Sequence, residues 1–494
     1  MLALAVRNTK KLVRRKVEEE NVRLGRLFTK REQAALMARM AELPVRAEMR
    51  VLDPGAGTGI LSAAAIEMLA KRGGVERILL TAYETDPVFL PMLKDNLERI
   101  RKKCWHDYKI RVVSDVREEH YLLAPREDTL PGYDIVLCNP PRELMLKGSP
   151  EHRAFRRICS GDTDLAFLFA ARVAEELAEG GVAVLLLPVV LASSAYLEKL
   201  RRYLFERTAL IGIHLFLKKA TSENRLDEAR KNMILALRRT EERPELIKIT
   251  TSYGESGDIE NVMHVDYPTV VREDGKSLLL LKSPDEAKVL SLVARFPATL
   301  SSLGLRMRTG LTLESRYKEL LRDKPEKGTV PLIHPNSIQL GQISFPHPGV
   351  KNQYILGTEP SILQRNRNML FIKRVPAKSD KKALFCGAYL ASQLPRDPRI
   401  STHNKLNYID YEDGREMDFN MVFGLFVVLN SSLYGKYYAI VSKSKQINAT
   451  EFAALPLPSQ TALRAMGAKL SMTRNFSERI CDELLLAQMK SGKI

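Results

Sequence analysis

One stretch, Val51-Leu-Asp-Pro-Gly-Ala-Gly-Thr-Gly59, constrains this chain more than any other. Arg50-Val-Leu-Asp53 reads as a short buried strand, and the alanine-rich run Ile60 to Lys71 reads as a helix. Three glycines stand between them. Glycine alone turns the backbone this tightly and lets it approach a ligand closely. A strand, a glycine turn and a helix open an α/β sheet, and such sheets bind ligands at the carboxyl ends of their strands.

The pattern continues. Arg77 to Tyr83, Ile110 to Val113, Tyr133 to Cys138, Gly181 to Leu187, Leu210 to Phe216 and Lys231 to Arg238 read as strands. Pro87 to Lys102, Asp164 to Ala178 and Ser193 to Leu204 read as helices between them. Strands alternating with helices predict a mostly parallel sheet covered on both faces. Upstream, Asn8 to Val22 predicts an exposed helix, and Thr29 is placed to cap a second one over Lys30 to Leu43. The rhythm changes near residue 240. Glu241 to Asp274 reads as a short mixed tail, and from Leu300 the elements become short and irregular. With 494 residues two cores are expected. The boundary falls near 285–305, between a first domain over 1–290 and a second over 300–494.

The glycine loop reads G-x-G-x-G after Asp-Pro. A dinucleotide fingerprint reads G-x-G-x-x-G, so this loop suits the amino-acid end of S-adenosylmethionine better than a pyrophosphate. Candidate cofactor residues are Asp53, Gly55, Ala56, Gly57, Thr58 and Gly59. Two further acids follow later strands. Glu84 is placed to accept ribose hydroxyls, and Asp115 to accept from the adenine amino group.

The fourth strand ends in Asp134-Ile-Val-Leu-Cys-Asn-Pro-Pro-Arg142. An amino nitrogen on an aromatic base is a poor nucleophile, because its lone pair is delocalised. The Asn139 side-chain oxygen and the Pro140 carbonyl can each accept one N–H, which frees the lone pair. Pro140 and Pro141 fix the backbone that aims the carbonyl. Positioning and hydrogen-bond electrostatics then replace a strong base.

Here the chain resembles the γ-class amino-methyltransferases of restriction–modification systems, chiefly the adenine-N6 enzymes. The motif order is theirs. Phe28-Thr29 comes first, then the glycine loop, Glu84, Asp115 and Asn139-Pro-Pro141, then Asp164-Leu-Ala-Phe167 and Gly180-Gly-Val-Ala-Val-Leu-Leu-Leu-Pro188. The C-terminal stretches Thr329 to Pro335, Phe371 to Lys378, Thr402 to Ile409, Leu425 to Asn430 and Leu455-Pro-Leu-Pro458 resemble one type II subgroup. The resemblance spans roughly residues 24–460. It implies a Rossmann-like S-adenosylmethionine-dependent methyltransferase domain followed by an α+β target-recognition domain. It adds Thr29, Asn139 and Phe167 to the cofactor residues, and places a stacking aromatic at Phe216. The family sets Tyr, Phe or Trp after the second proline. This chain has Arg142, whose guanidinium plane can stack on a base or bind a phosphate.

The partner this implies is double-stranded DNA, with the target base flipped out of the stack. Charge agrees: Lys and Arg number 77 against 59 Asp and Glu, a formal +18. Arg306, Arg308, Arg365, Arg367, Lys373, Arg374, Lys378, Lys381, Lys382, Lys443 and Lys445 lie in the second half, among His334, His347, His403 and aromatics. Arginine suits guanine and lysine suits phosphate. No apolar run has membrane length, five scattered cysteines give no zinc spacing, and no metal is expected. A monomeric cytoplasmic enzyme is expected, with a separately encoded restriction endonuclease. Alternatives are cytosine-N4 methylation, methylation of RNA or of a protein glutamine, and an accessory protein without activity.

Overall fold

The computed structural model describes all residues except 16–28, 126–130, 159–162, 219–227, 255–257, 376–383, 443–445, 474 and 493. The chain divides into two compact units, Met1–Pro284 and Asp285–Ile494.

The first unit is built on a nine-stranded sheet. Its elements are α1 (Leu2–Arg15), α2 (Arg31–Met40), β1 (Glu48–Asp53), α3 (Ile60–Arg72), β2 (Arg77–Tyr83), α4 (Leu90–Tyr108), β3 (Arg111–Arg117), β4 (Tyr133–Cys138), α5 (Leu165–Glu176), β5 (Leu177–Pro188), α6 (Glu198–Arg207), β6 (Ala209–Lys218), β7 (Glu228–Arg238), β8 (Leu246–Tyr253) and β9 (Asn261–Asp266). The strand order is β9-β8-β6-β7-β5-β4-β1-β2-β3. The run β3-β2-β1-β4-β5 is parallel throughout, and β7 inserts antiparallel between β5 and β6. Buried strands such as Ile135-Val-Leu-Cys138 have no polar face, as expected of a sheet covered on both sides. From β1 the chain first moves outward to β2 and β3. It then returns to the other side of β1 at β4. The crevice at the carboxyl ends of β1 and β4 is therefore a topological switch point, where such sheets take ligands.

Two expectations need correction. Residues 241–274, expected as a short mixed tail on the first domain, do belong to the first unit but extend its main sheet, since β8 pairs parallel with β6 and β9 closes that edge. Leu246-Ile-Lys-Ile-Thr-Thr-Ser-Tyr253 shows little alternation because Ile247, Ile249 and Thr251 bury one face while Thr250 and Ser252 are buried on the other. The N-terminal helix is not exposed. Leu2, Ala5 and Thr9 form one buried stripe at helical spacing. The rest of the predicted helix, beyond Arg15, lies outside the described residues.

The second unit holds a six-stranded and a five-stranded sheet with helices against them. In the six-stranded sheet β10 (Leu305–Thr309) pairs antiparallel with β12 (Leu406–Tyr411), which pairs with β11 (Met369–Lys373). The Asp418 side chain caps α7 (Phe419–Asn430) by accepting from the Met421 amide at 3.0 Å. This helix is apolar on nearly every side and packs against α8 (Gln460–Thr473). Gly424 and Gly467 permit the crossing. A Cβ on Gly467 would strike the Asn420 carbonyl, and one on Gly424 the Leu463 carbonyl. Backbone cannot retreat here, so Gly467→Ala is expected to cost at least about 3 kcal/mol. Hydrogen exchange should show protection lost over residues 419–473. Gly435→Ala, where a Cβ meets nothing within 4 Å, should leave it intact.

Candidate active site

Two loops meet at the switch point. The first leaves β1 at Asp53 and turns through Gly57 and Gly59, whose φ values of 53° and 82° favour glycine. Its turn is closed by the Ala56 amide donating to the Tyr83 carbonyl at 2.9 Å and the Gly59 amide donating to the Ala56 carbonyl at 2.7 Å. The second loop leaves β4 at Asn139. The loops are close: a Cβ on Gly55 would lie 3.9 Å from the Pro141 ring, 3.9 Å from Phe169 and 4.0 Å from the Asn139 carbonyl. Any larger residue at Gly55 would fill this cradle.

Glu84, just past β2, braces the glycine loop. One carboxylate oxygen accepts from the Gly57 amide at 2.7 Å, and the other from the Thr85 and Asp86 amides at 2.8 Å each. Thr58 is buried and shares a hydrogen bond of 2.7 Å with Thr9 of α1. Asn96 of α4 donates to the Thr58 carbonyl and accepts from Asn8, both at 2.8 Å. The N-terminal helix is thus sewn to the back of the loop.

Asp53 is only 1% exposed. Its Oδ2 accepts from the Ser62 amide at 2.9 Å and the Ser62 hydroxyl at 2.6 Å. Its Oδ1 is buried with no hydrogen-bond partner among the described residues. Burial pushes its carboxyl up to about 7; the Ser62 bonds and the nearby Gly55 amide, too poorly aimed for a full hydrogen bond to Oδ1, oppose this, and Glu84 adds to it. An orphaned carboxylate oxygen beside a glycine cradle fits the ammonium end of an amino-acid cofactor.

Asn139 is held from its amide side. Its Nδ2 donates to the buried Thr29 hydroxyl at 3.1 Å. That contact leaves Oδ1 to accept from another group.

Residues 11–240 match the N-6 DNA methylase family. That segment belongs to the N-6 DNA methylases. Over nearly its whole length the methylase is also similar to two curated proteins. The Type II methyltransferase M.PstI of Providencia stuartii is 24% identical over 473 residues, covering 94% of this chain and 92% of its own. The Type II methyltransferase M.BsuBI of Bacillus subtilis is 24% identical over 451 residues, covering 90% and 89%. Among solved structures, the type IIG restriction endonuclease BpuSI matches 92% of this chain and 60% of its own at 13% identity, with a TM-score of 0.46. The methylase takes its methyl group from S-adenosylmethionine.

The structure groups Asp53, Gly55, Ala56, Gly57, Gly59, Glu84, Thr29, Asn139, Pro140 and Pro141 at the carboxyl ends of β1 and β4, while the Thr58 side chain turns to the back of the loop against Thr9. Other expected residues stand elsewhere or act differently. Thr29 does not cap α2: Lys30 occupies the cap position without a side-chain bond, and the Thr29 hydroxyl serves Asn139 instead. Its neighbour Phe28 lies outside the described residues. Asp115 is not at the end of its strand. β3 runs on to Arg117, and Asp115 is exposed and ion-paired with the Arg117 side chain at 2.8 Å. Phe167 is buried on α5, and Phe169 is the aromatic that reaches the glycine loop. Phe216 is a core residue, not a stacking surface. It is 1% exposed on β6, edge-on to His214 at 4.7 Å, because it projects into the hydrophobic core that covers this face of the sheet. Arg142 turns back to donate to the Leu186 carbonyl at the end of β5, at 2.9 Å.

Sequence reasoning passed over Leu144 and Leu146. They follow the Asn139 loop and are 65% and 67% exposed. Two large apolar residues in water beside a catalytic loop are a signal that sequence periodicity does not carry.

Among the described residues, Glu314, His334 and His403 form one group with metal-ligand chemistry. Hydrogen bonds set the tautomers there. His334 Nε2 donates to the Asn352 carbonyl at 2.9 Å, and His403 Nδ1 accepts from the Lys405 amide at 3.0 Å. Neutral His403 must then carry its proton on Nε2, the atom facing Glu314 at 3.8 Å. His334 Nδ1, 3.7 Å from Glu314, then turns a lone pair into the group, but His403 turns a proton there, so only one imidazole offers ligand chemistry.

Described helices include none long and apolar enough to cross a membrane.

Proposed function

We propose that Asn139 and Pro140 are the acceptors that shape the target amine in site-specific adenine-N6 methylation of double-stranded DNA. The hydrogen bond from Asn139 to Thr29 carries this reading. It fixes the amide plane and leaves Oδ1 as a preorganised acceptor. Preorganised acceptors in a crevice need no reorganisation at the moment of reaction. With the Pro140 carbonyl taking the second N–H, the nitrogen moves towards a tetrahedral shape and its lone pair becomes available.

The bound cofactor supplies an electrophilic methyl group. Asp53 Oδ1 and the Gly55–Gly57 backbone would hold its amino-acid end, and Phe169 would cover it. Glu84 would receive the ribose hydroxyls. Asp115, on the exposed face of β3, would reach the adenine amino group only by leaving Arg117.

Adenine must leave the duplex to reach Asn139, at a cost of about a few kcal/mol. No aromatic follows Pro141. Exposed Leu144 and Leu146 offer the apolar surface that a flipped base or an opened base step requires. Arg142, tied to Leu186, would present the rest of its guanidinium plane.

By likeness to M.PstI and M.BsuBI, the role proposed is the modification half of a type II restriction–modification pair, with a separately encoded endonuclease. Action as a monomer suffices, since each strand can be modified in turn. The test is to express the protein in cells lacking adenine methylation and to map modified bases in their DNA by single-molecule sequencing. One recurring sequence with methylated adenine supports the reading. Unmodified DNA in cells that hold folded protein contradicts it.

A further inference from the structure

The second unit buries one carboxylate among three arginines. Asp410 of β12 is 3% exposed. Arg306 Nε stands 3.5 Å and Arg308 Nε 3.6 Å from one of its oxygens, and Arg367 Nη1 stands 3.9 Å from the other. Register explains the grouping. Arg306 sits directly opposite Asp410 on the β10–β12 pair, and Arg308 follows two residues on, on the same face.

One arginine would neutralise Asp410. Three leave an excess of two positive charges in one place. Arg367 has a further bond, donating to the Gly414 carbonyl at 2.7 Å, and Arg308 also meets the Tyr408 hydroxyl. Among the described residues Arg306 Nε, Arg308 Nε and Asp410 Oδ1 have no hydrogen-bond partner. Buried polar atoms normally close their bonds. The two β10 side chains keep 36% of their surface in solvent. The Nε edges of Arg306 and Arg308 therefore turn inward to Asp410, while the exposed parts of these two side chains can offer donors to an outside acceptor.

We propose that Arg306, Arg308 and Arg367 form a DNA-contacting fork, and that Asp410 is the positioning residue that aims it. This rests on the reading of the chain as a DNA methyltransferase. A guanidinium aimed in this way matches a pair of acceptors, either guanine O6 and N7 or two phosphate oxygens. Asp410 holds three like charges at one place before DNA arrives, so their spacing is set in advance.

The charge effect and the aiming effect have opposite signs, which makes the test clean. Asp410→Asn adds one positive charge beside DNA. If the group supplied charge alone, binding would tighten. Aiming predicts about tenfold weaker binding to the target duplex. Binding of full-length protein to target and scrambled duplexes is measured by fluorescence anisotropy across a salt series, with cofactor binding and the melting profile as fold controls. Arg308→Ala should weaken target binding about tenfold. A loss confined to the target assigns guanine. An equal loss on both duplexes, with a salt slope lower by about one, assigns phosphate. Arg308→Lys keeps the charge but not the fork: it should lose as much target binding as alanine where guanine is read, and where phosphate is held it should bind more weakly than wild type with the wild-type salt slope. Asp410→Asn binding as tightly as wild type or tighter overturns the proposal, and so does full binding by Arg308→Lys. A wild type that methylates normally while these variants bind normally removes this inference alone. A wild type that neither methylates nor binds duplex DNA removes the underlying reading and this inference with it.

Discussion

Asn139→Ala is expected to lower the rate of DNA methylation by about 10²–10³-fold while cofactor affinity stays close to wild type. The asymmetry follows from where the side chain points. Its Nδ2 faces Thr29, at the protein side of the crevice, and its Oδ1 is left for the substrate amine. Alanine removes an acceptor that acts as the nitrogen changes shape, so the loss should fall on kcat and spare KM for the cofactor. The Gly57–Glu84 bond and the Thr58–Thr9 bond, which shape the cofactor loop, do not involve Asn139. Single-turnover methylation and cofactor titration by calorimetry separate the two. Asn139→Asp keeps an acceptor and should retain more activity than alanine. Equal losses in turnover and cofactor affinity would mean that Asn139 serves the fold of the crevice rather than the reaction.

Asp53→Asn should stabilise the cofactor-free protein and weaken cofactor binding at once. The wild-type carboxyl is raised from 3.8 to about 7 in the folded state, chiefly by burial. Its contribution to stability is therefore full below pH about 3.8, is lost as pH rises, and is gone above about 7. The penalty at pH 8 is at most on the order of 4 kcal/mol. Asparagine accepts from Ser62 less strongly, so a net gain of roughly 2 kcal/mol is expected. For a unit of this size that is about 4 °C in the melting temperature. The gain should shrink steadily as pH falls from 7 towards 4. Meanwhile the ammonium of the cofactor loses its anionic partner, and Kd should rise at least about tenfold. Differential scanning calorimetry at pH 8 and pH 5, with cofactor titration, reads both effects. A destabilised Asp53→Asn protein at pH 8 would show that the buried charge is satisfied and that the crevice holds no vacant demand for a cation.

Much of the first unit was legible because one local rule governed each part. Arg77–Tyr83 and Tyr133–Cys138 form strands over the predicted residues, and β1, the glycine turn and α3 follow the strand–turn–helix pattern. Positions governed by tertiary partners were not legible. Thr29 reads as a cap from its neighbours, but a hydroxyl takes the better partner, and Asn139 stands 110 residues away. The aromatic at Phe216 reads as a stacking surface until the core closes over its face of the sheet. Phe167 and Phe169 lie two residues apart on a helix, so about 200° of rotation separates them. Periodicity does not say which one meets Gly55. The β8 strand was hidden because Thr250, Thr251 and Ser252 are buried, which defeats an alternation test, and β9 because Val262 stands exposed among its polar positions. Asp410 carries no local signal, since strand register brings Arg306 and Arg308 to it and the residues before β11 bring Arg367. Lys378, Lys381, Lys382, Lys443 and Lys445 lie outside the described residues.

The most direct measurement of the central claim is identification of the methylated nucleoside. Unmethylated double-stranded DNA is incubated with the protein and S-adenosylmethionine tritiated on its methyl group, then digested to nucleosides, with Asn139→Ala alongside. The account predicts label in N6-methyladenine from the wild type and almost none from the variant. Label in N4-methylcytosine, or no labelled nucleoside from a protein that binds the cofactor, would contradict it.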